Sequence, residues 1–270
     1  MGALAVREPG PAVATVLGSG TSTGVPIVGC SCPVCLSRDP RDRRTRCGVH
    51  VACEGFGLQI DVSPDFREQA LRHRFGRVDA VVVTHCHADH VLGLDDLRRF
   101  NTMQGTGIEL YARPWAMRGI ERIFGYLVNP PPEQAGMYRA KIDFREAGEE
   151  PFECGPFRVR LLDVPHGPSV ATAVEVAAGS RRLVVASDCS EVTPALADMM
   201  RGADAVLLDG LRDRPHSAHL TFAGAVDALL ASGSPRPYVI HIGHDVPHAD
   251  LLARFPAPVE PAYDGLSIEF

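Results

Sequence analysis

Short apolar runs, separated by turns rich in glycine and proline, dominate the pattern of this chain. The runs are rich in Val, Leu, Ile and Ala, which is typical of buried β-strands. The pattern predicts a pair of strands within 48–62, joined near Gly55, and single strands at 12–17, 78–83, 108–112, 157–162, 171–176, 183–186, 205–208 and 238–242.

Helices are predicted between these strands, at 64–74, 91–100, 114–126, 194–200, 222–231 and 248–254. The first of them begins with a proline, which is favoured in the opening turn of a helix. Because two strand-rich halves alternate with helices, the pattern favours an α+β fold in which two sheets pack face to face between helices. No linker rich in Pro, Ser or Gly divides the 270 residues, so a single domain spanning 1–270 is expected.

The segment Thr84-His-Cys-His-Ala-Asp-His follows a predicted strand and concentrates metal-binding side chains. Imidazole and carboxylate together suit zinc, manganese or iron. In an extended turn, His85 and His87 point the same way. Asp89 and His90 can then open a second cluster beside them. The spacing therefore indicates two metals, whereas a histidine-rich loop without metal is the less favoured alternative.

Three further ligand candidates, His166, Asp188 and His241, also follow apolar runs. Strand ends that converge on one rim hold ligands rigidly. Taken singly, each is more typical of a turn residue or a satisfied polar group. Together with the histidine segment, and in this order along the chain, they favour one metal centre.

The motif Thr-His-x-His-x-Asp-His, followed by a distant His, a distant Asp and a last His, resembles the metallo-β-lactamase superfamily over nearly the whole chain. The resemblance implies an αββα sandwich of two mixed β-sheets with the site along one edge. Two metals in such a site supply a nucleophile and neutralise charge on a phosphoryl group. The resemblance assigns one metal to His85, His87 and His166, the other to Asp89, His90 and His241, and a bridging position to Asp188.

A Cys-x-Cys-x-x-Cys cluster lies near the start of the chain, in Gly29-Cys-Ser-Cys-Pro-Val-Cys. Thiolates this close suit a tetrahedral structural zinc, which needs a fourth ligand. His244 is the candidate, since it follows His241 by three residues and would lie beside the main site. The predicted ligands of this zinc-binding insertion, at about 29–47, are Cys30, Cys32, Cys35 and His244. Free thiols or a redox pair are the alternative.

These cysteines, the Gly18-Ser-Gly-Thr-Ser turn and the Gly-Leu after the histidine segment resemble the phosphoribosyl 1,2-cyclic phosphate phosphodiesterases of the carbon–phosphorus lyase pathway. The resemblance implies structural zinc at the cysteines, manganese or zinc in the catalytic pair, and a homodimer. It also implies a histidine over the leaving group, to which His219 is matched, with His216 as its rival. A helix predicted just after His219 would lower its pKa, so a neighbouring anion would have to restore it. His219 and the ligand Asp89 are thus the predicted catalytic residues.

The formal net charge of −6 provides no basic field for a long polyanion, so nucleic acid is a disfavoured partner. A small anionic phosphate ester fits better, because bound dications would make the site locally positive. Residues 1–7 lack the features of a signal peptide and no apolar run is long enough to cross a membrane, so a cytoplasmic protein is expected. The arginine-rich stretch 38–46 is interpreted as a solvated, self-paired loop, with phosphate binding as the alternative.

The sequence therefore predicts a dinuclear metal-dependent phosphodiesterase that acts on a small cyclic phosphate such as phosphoribosyl 1,2-cyclic phosphate. The alternatives among enzymes are a tRNA 3′-processing nuclease, a thioester hydrolase and a lactamase. The nuclease usually carries a basic arm and the lactamase is normally exported, and neither feature is visible here. A non-catalytic metal sensor is the alternative outside enzymes, which the complete ligand set disfavours.

Overall fold

The computed structural model describes residues 10–134 and 138–270, and fourteen strands lie within them. The signal-peptide prediction concerns residues 1–7, which lie outside the described residues. In chain order the strands are β1 (Val13–Gly18), β2 (Gly48–Cys53), β3 (Phe56–Ile60), β4 (Ala80–Val83), β5 (Ile108–Ala112), β6 (Ile142–Glu146), β7 (Phe152–Cys154), β8 (Phe157–His166), β9 (Ser169–Ala178), β10 (Arg181–Ala186), β11 (Ala205–Asp209), β12 (Pro237–Ile240), β13 (Glu260–Pro261) and β14 (Ser267–Glu269).

The strands form two mixed sheets of seven strands each. The first has the order β14-β1-β2-β3-β4-β5-β6, antiparallel as far as β3 and parallel from β3 to β6. The second has the order β13-β12-β11-β10-β9-β8-β7, parallel as far as β10 and antiparallel beyond it. The parallel strands bring their carboxyl ends, and the loops that follow them, to one edge of each sheet.

Helices cover the outer face of both sheets. In chain order the α-helices of the described residues are α1 (Phe66–His73), α2 (Ala88–Val91), α3 (Leu97–Gln104), α4 (Pro114–Ile123), α5 (Gly125–Val128), α6 (Pro194–Met200), α7 (Phe222–Ser232) and α8 (His248–Arg254). None of them is long and apolar enough to cross a membrane.

The central strands are apolar at every position because both of their faces are buried. In β4, Ala80 and Val82 pack in the core between the two sheets, whereas Val81 and Val83 pack against α1, α3 and α4. In β11, Leu207 faces the core between the sheets and its neighbours face α6, α7 and α8. Full burial of each such valine or leucine contributes roughly 1.5–3 kcal/mol. The predicted αββα sandwich is confirmed.

The predicted helix over 91–100 is wrong as a single element. The chain forms the short helix α2, a 3₁₀ turn at Leu94–Asp96, and then α3. At the break, the N–H of Gly93 donates to the carbonyl of Val62, and a Cβ at Gly93 would lie 2.1 Å from the carbonyl oxygen of Ser63. This close backbone approach needs a glycine, and it holds α2 with its two ligand candidates against the end of β3.

Two strand ends also differ from the prediction. β8 continues to His166, so this histidine ends the strand rather than following it. Pro165 is tolerated because β7 pairs with β8 only as far as Val159, which leaves this part of β8 at the edge of the sheet. β12 stops at Ile240, and His241 leaves it in a left-handed conformation with φ +63°.

The strands β6, β7, β13 and β14 were not predicted, because they are short or carry charged residues.

Candidate metal centre

Three histidines form a first cluster where β4 and β8 end. Nδ1 of His87 lies 2.9 Å from Nε2 of His85 and 3.3 Å from Nε2 of His166. Tetrahedral zinc with Zn–N distances near 2.0–2.1 Å would separate its nitrogen ligands by about 3.3 Å. The spacing of the three nitrogens therefore suits one metal ion.

In two of the three rings, those of His85 and His166, the outer nitrogen has a partner outside the cluster, so the inner nitrogen is the one that can bind a metal. Nδ1 of His166 lies 2.8 Å from the carbonyl of Ala218 and must donate to it. Nδ1 of His85 lies 3.0 Å from the hydroxyl of Thr84. Burial lowers the pKa of His85 well below its ordinary value and lowers that of His166. Both rings are therefore neutral near pH 7, the form that binds metals.

A second cluster consists of Asp89, His90 and His241, which lie on α2 and after β12. Nε2 of His90 lies 3.3 Å from an oxygen of Asp89, and Nε2 of His241 lies 3.8 Å from the same oxygen. Asp188 lies between the two clusters. Its carboxylate oxygens are 3.2 Å from His90, 3.5 Å from His241 and 3.9 Å from His166. The structure thus brings all seven predicted catalytic-metal ligands together.

Several buried polar atoms in this region make no hydrogen bond of good geometry with the described residues, although Nε2 of His90 and Oδ2 of Asp188 lie within ion-pair distance of each other. They are Nε2 of His90, Oδ2 of Asp188, and both ring nitrogens of His241. Buried polar atoms are rarely left without a partner, and each one costs about 1–3 kcal/mol. Divalent metals would satisfy Nε2 of His90, Nε2 of His241 and Oδ2 of Asp188, and the imidazole and carboxylate donors suit zinc, manganese or iron. The residues present therefore fit a dinuclear centre.

The electrostatics of the second cluster also favour a cation. Burial alone would raise the pKa values of Asp89 and Asp188, but the neighbouring histidines outweigh it and lower both. Burial alone would lower the pKa of His90 and of His241, but the carboxylates around them raise both instead. Protons held by these histidines occupy the position that a dication would take, so metal binding releases protons here.

Two buried carboxylates that sequence reasoning missed support the histidines. Oδ2 of Asp61, the residue after β3, lies 2.6 Å from Nδ1 of His90 and also accepts the hydroxyl of Thr84. Asp209, at the end of β11, lies 2.9 Å from Nδ1 of His219. Both aspartates end a buried apolar run, as Asp188 nearly does, and this signal in the sequence could have identified them.

His219, the predicted proton donor, lies beside both clusters. Its ring stacks on that of His241 at 4.6 Å between centroids and contacts that of His166 at 4.9 Å. Because Nδ1 is bound to Asp209, Nε2 is the nitrogen available for chemistry. Burial lowers the pKa of His219 to about 4 and raises that of Asp209. The rival His216 is exposed, 5.1 Å from the His219 ring, and its Nδ1 accepts the N–H of Ala218.

The predicted cysteine cluster also comes together around His244. The sulfur atoms of Cys30, Cys32 and Cys35 lie 3.4, 3.4 and 3.5 Å from Nδ1 of His244. Tetrahedral zinc would separate sulfur and nitrogen ligands by about 3.5 Å. The N–H of Cys35 lowers the pKa of the Cys32 thiol to about 6, whereas burial raises that of Cys35 to about 11. All eight cysteines are free thiols, so no disulfide competes for this cluster.

The interpretation of 38–46 as a solvated loop is wrong for two charged residues, Asp42 and Arg44, which are buried. Arg41 forms a partly exposed ion pair with Asp39 inside the loop, as predicted, whereas Arg46 pairs with Asp65, outside the loop at the start of α1. Arg44, however, is 0% exposed. Charge pattern alone cannot identify such a residue, because its burial depends on acceptors far away in the chain.

Comparisons with known proteins agree with this fold. The chain matches the beta-lactamase superfamily domain over residues 58–242. A solved structure of a diphosphatase from the PhnP family superimposes with a TM-score of 0.88 and 36% identity, covering 97% of this chain and 98% of that chain. The Zn²⁺-bound structure of PqqB from Methylobacterium extorquens superimposes with a TM-score of 0.79 and 23% identity, covering 96% and 100%.

A protein named octanoyltransferase, from Porphyromonas gingivalis, is 33% identical over 256 residues. The match covers 93% of this chain and 50% of that protein, so the chain spans about half of its length. The fold of the metallo-β-lactamase group implies divalent metals, in agreement with the donor sets found here. The chain belongs to the metallo-β-lactamase superfamily, whose members are generally hydrolases.

Proposed function

We propose that the protein is a dinuclear metal-dependent phosphodiesterase that acts on a small anionic phosphate ester. The observation that carries the proposal is the pair of ligand clusters sharing Asp188, with His219 against both. A pair of divalent metals, zinc or manganese, supplies a nucleophile from water near neutral pH and neutralises charge on a phosphoryl group when bound. The 36% identity to a diphosphatase supports phosphorus as the reacting centre.

The ligand assignment follows the two clusters. His85, His87 and His166 would hold the first metal, Asp89, His90 and His241 the second, and Asp188 both. Cys30, Cys32, Cys35 and His244 would hold a structural zinc. Cyclic ribose phosphates, phosphoribosyl 1,2-cyclic phosphate among them, are the proposed substrates, because the motifs resemble enzymes for that class and the net charge of −6 disfavours a long polyanion.

His219 is the proposed proton donor to the leaving oxygen, from Nε2. Its pKa of about 4 makes it neutral in the free protein. A phosphate anion beside the ring favours the imidazolium, because an opposite charge at short range raises the pKa of a histidine. Asp209 orients the ring through its 2.9 Å contact with Nδ1.

The first test is hydrolysis of bis(p-nitrophenyl) phosphate by protein loaded with Mn²⁺ or Zn²⁺, with metal content measured on the same samples. Wild type is expected to turn over, and Asp188→Ala is expected to lose both activity and bound metal. A wild type that holds two catalytic metals per chain and hydrolyses no phosphodiester would overturn the proposal. Hydrolysis of thioesters by that same protein would then indicate a thioesterase.

The role of His219 is tested by changing the leaving group. We expect His219→Gln to slow hydrolysis of a phosphodiester with an alkyl leaving group by about 100-fold or more, as for loss of a general acid. The p-nitrophenyl ester should be slowed much less, because its leaving group departs without a proton. His216→Gln is the matched control and should affect both substrates alike. An equal loss on both substrates with His219→Gln would exclude the role of proton donor.

Diphosphate cleavage is a second candidate activity, favoured by the name of the PhnP-family relative. The same clusters would serve it, since the reacting centre is again phosphorus. A phosphate leaving group needs little protonation, so His219→Gln should reduce diphosphate hydrolysis only slightly. Turnover of a nucleoside diphosphate ester faster than a cyclic phosphate would favour this candidate.

A further inference from the structure

Arg44 is the largest fully buried side chain among the described residues. Its guanidinium donates to the carbonyl of Gly243, to the carbonyl of Val246 at 3.1 Å and to a carboxylate oxygen of Asp42 at 3.1 Å. The same oxygen of Asp42 accepts the N–H of His248 at 2.7 Å. The guanidinium therefore bonds to two carbonyls of the loop 241–246, and Asp42 connects it to His248, the first residue of α8.

This loop carries one candidate ligand of each of two metal sites. His241 belongs to the second catalytic cluster and His244 to the cysteine cluster, and Gly243 lies between them. Backbone bonds hold the start of the loop, where the N–H of Ile242 donates to the carbonyl of Ser19 and the N–H of Gly243 to the carbonyl of Leu211. Beyond that point, Arg44 holds the carbonyls of Gly243 and Val246 in place.

The backbone conformation of His241 also depends on the surrounding structure. Its φ of +63° is a left-handed conformation that residues with a Cβ rarely adopt. Such a conformation persists only where the surrounding structure maintains it. Since Gly243 follows His241 by two residues, a bond that fixes the Gly243 carbonyl also limits how far His241 can relax.

We propose that Arg44 is a positioning residue that sets the metal affinity of two sites at once, through the loop 241–246. The two sites are the cysteine cluster and the cluster of Asp89, His90 and His241, and the proposal rests on the metal sites of the proposed function. The third site, of His85, His87 and His166, takes no ligand from this loop, so Arg44 can affect it only indirectly, through Asp188, which the proposed function assigns to both catalytic metals. Lysine cannot replace Arg44, because an ammonium is a point charge without the planar fork that reaches several acceptors.

The test is metal titration of Arg44→Lys, with Co²⁺ and Zn²⁺ as probes. Each site is assigned by deleting one ligand, in the variants His87→Ala, Asp89→Ala and Cys32→Ser. Thiolate-to-cobalt charge-transfer absorption reports on the cysteine cluster without any activity assay. We expect affinity to fall by about 10- to 100-fold at the two sites that share the loop, the usual cost of losing a residue that orients a ligand. The third site should lose much less affinity than these two, because it takes no ligand from the loop.

Arg182→Lys is the matched control. Arg182 also joins a carboxylate, that of Glu175 at 2.8 Å, to backbone carbonyls, those of Met199 at 3.1 Å and Arg201 at 2.7 Å. None of these residues belongs to a metal site, so all three affinities should be retained.

Equal affinities in Arg44→Lys and wild type would overturn the proposal, and so would a parallel loss at all three sites, which indicates a general structural role. If Arg44→Lys does not fold, the double variant Arg44→Gln, Asp42→Asn replaces it, because it removes both members of the buried ion pair and leaves no unpaired buried charge. The same selective loss is then expected, and unchanged affinities overturn the proposal. A wild type that binds no metal at the histidine clusters would instead overturn the proposed function.

Discussion

In His90 and in His166, a single hydrogen bond at Nδ1 leaves the lone pair of Nε2 available to a metal. Nδ1 of His90 is bound by Asp61 at 2.6 Å, and Nδ1 of His166 by the carbonyl of Ala218 at 2.8 Å. In both rings the opposite nitrogen then faces the centre of the site. Carboxylates and carbonyls in this position fix the tautomer of a ligand and increase its basicity. The partners of these two histidines are therefore expected to affect metal binding.

Asp61→Asn tests this conclusion. We expect metal affinity at the site of His90 to fall by about 10- to 100-fold, measured by competition with a chromophoric chelator, since the neutral amide no longer holds the ring as a carboxylate does. Asparagine suits the backbone at this position, where φ is +56°, because it adopts left-handed conformations readily. Asp79→Asn is the control, since Asp79 accepts the N–H of Gly57 at the opposite end of the strand pair. Unchanged affinity in Asp61→Asn would contradict the conclusion.

At the level of elements, strand ends and helix starts place the functional side chains. His219 lies two residues before Thr221, the N-cap of α7, whose side chain accepts the N–H of Gly224. The loop before the cap is closed by the bond from the N–H of Phe222 to the carbonyl of Arg212. The first turn of α7 thus anchors the segment that carries His219.

Thr221→Ala should therefore lower both the free energy of unfolding and kcat. Loss of the N-cap is expected to lower the free energy of unfolding by about 1 kcal/mol, measured by urea denaturation. Thr193→Ala is the matched control, because Thr193 caps α6 in the same way, with its side chain accepting the N–H of Leu196. Both variants should lose similar stability, but only Thr221→Ala should lower kcat. Equal kcat values in the two variants would show that α7 does not position His219.

At the scale of the whole molecule, the candidate metal centre joins the two sheets. The histidine segment follows β4 of the first sheet, whereas His166, Asp188 and His241 come from the second. Bound metals would therefore link the sheets and compensate the buried carboxylates between them. Their removal should affect global stability as well as activity.

Chelation is expected to lower Tm, measured by calorimetry with and without a chelator. A metal present at 1,000 times its Kd stabilises the folded state by about 4 kcal/mol, which corresponds to roughly 10 °C in a chain of this size. Zn²⁺ should restore Tm fully and Mn²⁺ only in part, because thiolates prefer zinc. Asp188→Ala should show a smaller shift on chelation. An unchanged Tm in wild type would mean that metals do not bind at the sheet junction.

The sequence by itself determined the parts of this protein that depend on neighbours along the chain. The β4 run, the turn of histidines after it and the spacing of the cysteines are local patterns, and they sufficed for the fold class and the superfamily. Periodicity also predicted α6 and α8 at their observed bounds, Pro194–Met200 and His248–Arg254. The roles of the ligands in metal binding and of His219 in catalysis stay predictions.

Only the tertiary structure decided which distant groups meet. The bonds from Asp61 to His90, from Asp209 to His219 and from Arg44 to the carbonyl of Gly243 join segments that packing alone brings together. The sequence predicts that a charged residue in a polar stretch is solvated. It cannot predict burial, because the free energy of burying the charge depends on acceptors contributed from elsewhere in the fold. The left-handed backbone of His241 has the same origin, since contacts around the loop, and not its own preference, maintain it.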